Sequence, residues 1–138
     1  MTIDEKLKIK EDFEWWITSI PDKVLELQKE LDFNLDRSLE SLNNIEKHLI
    51  ENFTEDFLSS EKGGLIYDQI TSYIGSTIKL LVPNLHWHIE VEDKKNVFFG
   101  YPSLVSEKFP ALCPHILVLS LIRKKQLGFI SKKITSRI

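Results

Sequence analysis

The sequence predicts an α+β fold: a mostly helical half over residues 1–62, then a helix, a β-hairpin and a C-terminal helix over residues 65–138, packed as a single domain (1–138). Three observations predict it. Apolar residues recur at helical spacing through most of the first 82 positions. The period then switches to two, with Leu85, Trp87, Ile89 and Val91 alternating with His86, His88, Glu90 and Glu92. A chain of 138 residues, 42% apolar and 28% charged, is long enough for one hydrophobic core and ordinary for a globular protein.

Leu7, Ile9, Phe13, Trp16, Ile17 and Ile20 mark a first helix stopped by Pro21. Pro21 then fits the first turn of a second helix that buries Val24, Leu27 and Leu31. Asn34 or Asp36 is the expected cap of a third helix carrying Leu39, Leu42, Ile45, Leu49 and Phe53. A short helical turn is expected near Phe57, and "SSEKGG" (59–64) is the clearest break. Residues 65–82 form a fourth helix ended by Pro83, with Gly75 marking the close approach of another backbone. The hairpin follows, with "DKKN" as its turn, "VFFGY" (97–101) as its returning strand and Trp87 as its central buried residue. Residues 102–110 read as loop. "PHILVLSLIRKKQ" (114–126) reads as a buried helix, its β-branched content leaving a central strand as the alternative.

Net charge conceals an asymmetry. Residues 1–62 carry sixteen acids and eight bases, a balance of −8; residues 63–138 carry five acids and ten bases, a balance of +5. Six of those bases fall between Arg123 and Ile138 with no acid among them. Cations near helix C-termini and attraction between the halves explain most of this split. The basic tail lacks interleaved aromatics for base stacking, which argues against nucleic acid. The longest apolar run, "ALCPHILVLSLI" (111–122), has twelve residues against the ~20 a membrane span needs, so it reads as core. A single cysteine, Cys113, fits a reducing compartment, and a cytoplasmic location is expected.

His86 and His88 share one face of the strand, so both rings could meet one zinc with Glu90 as a third donor. The opposite face is so apolar that the histidine face is more simply the wet side, and no metal or cofactor is expected. The "CPH" run (113–115) lacks a third orienting group, so Cys113 reads as a buried hydrophobe and not as a nucleophile. Trp15 and Trp16 cannot face the same side of a helix; one packs inward.

The runs "LDFNLDRSLESLNNIE" (31–46) and "YIGSTIKLL" (73–81), ahead of a Trp-bearing hairpin, resemble a set of small bacterial cytosolic proteins of unassigned function. Many of these carry an acid directly after the glycine; here Ser76 stands there. The helix-plus-hairpin plan is similar to that of immunity proteins from bacterial toxin systems, a resemblance of architecture only. It implies a non-enzymatic inhibitor that binds a basic protein such as a toxin. The expected contact residues are Glu40, Glu46 and Glu51 on the acidic half, taken as exposed, and His86, His88 and Glu90 on the hairpin. The alternatives are a homodimer joined through Trp15/Trp16 or the hairpin edge, and a metal-dependent hydrolase using His86 and His88.

Overall fold

A computed structural model describes residues 1–138 as seven helices and one two-stranded antiparallel sheet, an α+β arrangement. Helix α1 (Ile3–Thr18) starts where the Thr2 hydroxyl accepts the Glu5 N–H at 3.1 Å. Pro21 stands in the first turn of α2 (Ile20–Lys29), as its missing N–H allows. Helix α3 (Leu39–Asn52) is capped by Ser38, whose extended backbone aims its hydroxyl at the Ser41 N–H, 3.0 Å away. Neither Asn34 nor Asp36 is the cap. Asp36 instead accepts the Ser38 hydroxyl and N–H, bonds that hold its carboxyl below the usual range.

Thr54 caps the short α4 (Glu55–Leu58), and Ser60 caps α5 (Glu61–Leu81). The expected break at residues 59–64 is therefore narrower, and both of its glycines are helical. Gly63 is required there, because a Cβ would fall on the Phe57 carbonyl. Helix α5 is the hub. It packs against α2, α3, α4 and α6 (Pro114–Lys124) and buries Ile70, Tyr73, Ile74 and Ile78. One core of 22 residues runs from Ile20 to Ile134 and draws on both halves of the chain.

Strand β1 (His86–Ile89) pairs with β2 (Pro102–Val105), setting Trp87 opposite Leu104 and His88 opposite Ser103. The expected returning strand at 97–101 is instead part of the connection. Asp93 and Asn96 side chains accept the N–H groups of Lys95 and Phe98, offering this backbone local turns in place of a ladder. The strand forms further on, in residues read as loop. Residues 114–124 are helical, and Lys125 in the left-handed region (φ 50°) ends α6. A seventh helix, α7 (Phe129–Thr135), was not expected; it starts after Gly128 at φ 86° and buries Ile130 and Ile134.

Trp87 is half-buried, less than its central place in the hairpin implied, because two strands lie against the helical body without a sheet over them. What approaches Gly75 is the Trp87 indole, and not another backbone; a Cβ there would fall on the ring and lie 3.1 Å from Pro114 Cγ. Glycine at 75 and tryptophan at 87 are thus one packing decision. Gly75→Ala is expected to destabilise by ~1–3 kcal/mol through overpacking. In a Trp87→Leu background, where the ring is gone, the same change should cost much less. Urea unfolding of the four proteins checks this; an equal cost in both backgrounds would contradict the packing.

Candidate functional site

The six residues expected to contact a partner do not form one surface. Glu40 and Glu51 are exposed on α3, eleven residues apart. That spacing returns them to within ~20° of the same helix face, roughly 16 Å apart along the axis. Glu46 is the correction. It is 1% exposed, and its carboxylate accepts the N–H groups of Gly128 (2.5 Å), Ile130 (2.9 Å) and Ser131 (2.9 Å). These are the orphan donors at the start of α7, so Glu46 serves as that helix's cap from another element. It is not on the surface, where its charge had suggested it.

On the hairpin, His86 and His88 do share the exposed face of β1. His88 Nε2 lies 3.9 Å from Glu90 Oε1. The other Glu90 oxygen accepts the N–H groups of Glu92 (2.9 Å) and Asp93 (3.2 Å), which draw its carboxyl below the ordinary range. Glu90 thereby holds the start of the 93–101 connection. His86 turns to a different cleft of about 760 Å³, lined also by Lys108 and Arg137. No three His, Cys, Asp or Glu side chains stand close enough together to hold a metal ion.

Glu51 borders a groove of about 500 Å³ together with Asp32, Phe33, Asn44, Lys47, His48 and Asn52. Its aromatic wall is made by Phe33 and His48, which stand edge-on to each other at 6.3 Å, with Phe53 packed on His48 at 5.3 Å outside the lining. Burial holds the His48 imidazole below its usual pKa, against the opposing pull of Asp32 and then Glu51. With His48 neutral, two carboxylates outweigh the one ammonium of Lys47, whose nearest approach to Glu51 is 4.0 Å. Elsewhere in the helical half, Asp22, Glu30 and Glu40 are exposed, and like Asp32 they are in no ion pair. A carboxylate-lined groove with an aromatic wall can take the aliphatic stem and cationic head of a lysine or arginine.

A second cluster escaped the sequence reading. Trp16 Nε1 donates to Asp68 (2.7 Å), Lys23 Nζ reaches the same carboxylate at 3.2 Å, and that ammonium lies 4.7 Å from the Trp16 ring centre. Trp16 stands edge-on to Trp87 at 5.3 Å. The His115 ring is packed by Trp16, Tyr67 and Tyr101 at 5.5–5.6 Å, and the Tyr67 hydroxyl donates to the His115 carbonyl at 2.7 Å. Burial pushes the Tyr67 phenol up and the Lys23 ammonium down. These groups join α1, α2, α5, β1 and α6, and the indole N–H of Trp16, the ammonium of Lys23 and the hydroxyl of Tyr67 all find partners within the cluster. Only the "WW" pair signalled the cluster in sequence; Lys23, Tyr67, Asp68 and Tyr101 had no distinguishing spacing. Cys113 is buried, which raises its thiol pKa and makes it unreactive.

His115 makes the cluster sensitive to acid. Its Nδ1 is enclosed without a hydrogen-bond partner, and burial depresses its pKa to about 4. The unfolded chain, with a histidine pKa near 6.5, therefore binds the extra proton first as pH falls. The neutral ring's contribution is intact above pH ~6.5 and is lost progressively down to pH ~4. His115→Phe keeps a ring and removes the titration. Unfolding free energies at pH 7 and pH 4.5 should fall by ~2–3 kcal/mol more in the wild type than in the variant; identical pH dependence would refute a buried neutral imidazole.

No protein-family model, curated protein or solved structure matches this chain, so its geometry stands as the basis for a functional reading.

Proposed function

We propose that this is a non-enzymatic binding protein whose acidic helical face captures a basic protein partner, in the manner of an immunity or inhibitor protein. The observation that carries the reading is the groove beside α3. Asp32 and Glu51 line it, the rings of Phe33 and His48 back it, and unpaired carboxylates at Glu30, two residues before Asp32, and Glu40, one helical turn before Asn44, add to the negative field. A field of one sign steers an oppositely charged partner, and a recessed aromatic wall then supplies contact area. Burial of Glu46 strengthens the division of labour. One acid of the helical half secures the fold, and the exposed ones remain available. We place the protein in the cytoplasm, where its single buried thiol stays reduced.

The test compares three immobilised baits in lysate from the source cells: wild type, Asp32→Lys/Glu40→Lys/Glu51→Lys, and His86→Ala/Glu90→Ala. Quantitative mass spectrometry should find a basic protein held by the wild type and by the hairpin variant. Charge reversal or high salt should release it. With that protein purified, charge reversal should slow association by at least about tenfold at low salt. Retention by the charge-reversed bait together with loss from the hairpin variant would move the binding face to β1.

A further inference from the structure

Helix α1 has two apolar faces, and the fold uses one. At about 100° per residue, Ile9, Phe13, Trp16 and Ile17 fall on the inward side, and they are the buried or half-buried residues of the helix together with Lys6. Some 140° away, Ile3, Leu7 and Trp15 point outward and are 77%, 51% and 73% exposed. Trp16 is fully engaged by Asp68, Lys23 and Trp87, which leaves Trp15 as the free indole of the pair. A shallow cleft lined by Leu7, Lys10, Glu11, Glu14 and Trp15 runs along this outer face. An exposed tryptophan beside leucine, rimmed by charges, is the composition of an interface centre.

We propose that this face binds a second copy of the same chain, with the two α1 helices antiparallel about a two-fold axis at Glu11. The charge order selects this occupant. After the acidic first turn (Asp4, Glu5), and with Lys6 turned inward onto Glu92, the bases Lys8 and Lys10 precede the acids Glu11, Asp12 and Glu14, so reversing one copy about Glu11 sets bases against acids. With the axis at Glu11, Leu7 of each copy meets the turn of the other that carries Glu14 and Trp15. Lys10 lies beside the opposite Glu14, and Lys8 comes over the opposite Trp15 ring. Glu11 meets its own copy across the axis, a like-charge contact that weakens the pair. The helix is about 24 Å long. One such pair buries less than the ~1,600 Å² of a standard stable interface, so the dimer is reversible and concentration-dependent. This inference does not rest on the acidic groove beside α3, which the pairing leaves open.

Sedimentation equilibrium on the full chain across a wide concentration range tests it. The wild type should dimerise reversibly. Trp15→Ala should weaken the dimer at least about tenfold with helix content unchanged by circular dichroism, since this side chain is 73% exposed and outside the core. Lys10→Glu alone and Glu14→Lys alone should each weaken it, and the Lys10→Glu/Glu14→Lys protein should recover it, because each chain supplies both sides. Glu11→Gln should tighten it. A wild type that stays monomeric would overturn the proposal and leave the face to another protein. A dimer indifferent to Trp15→Ala, or one that the double swap fails to restore, would overturn the antiparallel pairing.

Discussion

The carboxylate of Glu46 is the contact on which the arrangement of the chain's last quarter depends. Helix α7 has only seven residues and starts after a left-handed glycine, without a side-chain cap of its own. A helix so short does not hold its shape in water. Glu46, on the buried side of α3, satisfies three of its leading N–H groups, and the Ser131 hydroxyl adds to the set through Asn43 at 2.8 Å. With those donors satisfied, Ile130 and Ile134 enter the core beside residues of α3 and α6. A buried carboxylate without such partners would be strongly destabilising; with three N–H donors and a helix dipole it becomes a fixed anchor.

The charge asymmetry along the chain takes on a different meaning in this light. A general attraction between acidic and basic halves accounts for little. Few contacts join them: Arg123 grips Glu55 with paired bonds of 2.5 and 3.1 Å, and Glu46 takes the amides of α7. Two further links run the other way, from Lys6 to Glu92 and from Lys23 to Asp68. Most remaining bases of the tail are occupied locally, Lys124 and Lys133 on the Phe129 ring at 4.7 and 5.1 Å. Among the acids of the helical half, Asp22, Glu30, Asp32 and Glu40 are exposed and in no ion pair. Exposed and unpaired, they contribute little to folding, and the proposed binding role is where their charge would count.

What was legible in the sequence was whatever periodicity encodes directly. The apolar stripes located α1, α2, α3 and α5, a helical turn was expected near Phe57 where α4 lies, and the alternation from Leu85 to Val91 located β1. The second strand was misplaced because "VFFGY" has strand composition, whereas Asp93 and Asn96 fold that stretch on itself through their own side chains. Helix α7 was invisible because its stability comes from a residue more than eighty positions earlier. Glu46 did leave a signal. It stands four residues after Leu42 and three before Leu49, inside the apolar stripe of its helix and not beside it. At that position the stripe outweighs the charge. The Gly75–Trp87 pairing was half legible: the glycine announced a close approach, and only the fold identified an indole as what arrives.

Native-state amide hydrogen exchange at Gly128, Ile130 and Ser131, in the wild type and in Glu46→Ala, tests the role of Glu46 most directly. The account predicts wild-type protection at these three amides close to that of the core of α3. In the variant that protection should collapse, with global stability lower by about 3 kcal/mol, as buried donors and α7 lose their acceptor. Fast exchange at these amides in the wild type, or unchanged protection in the variant, would show that α7 is held by its apolar contacts alone.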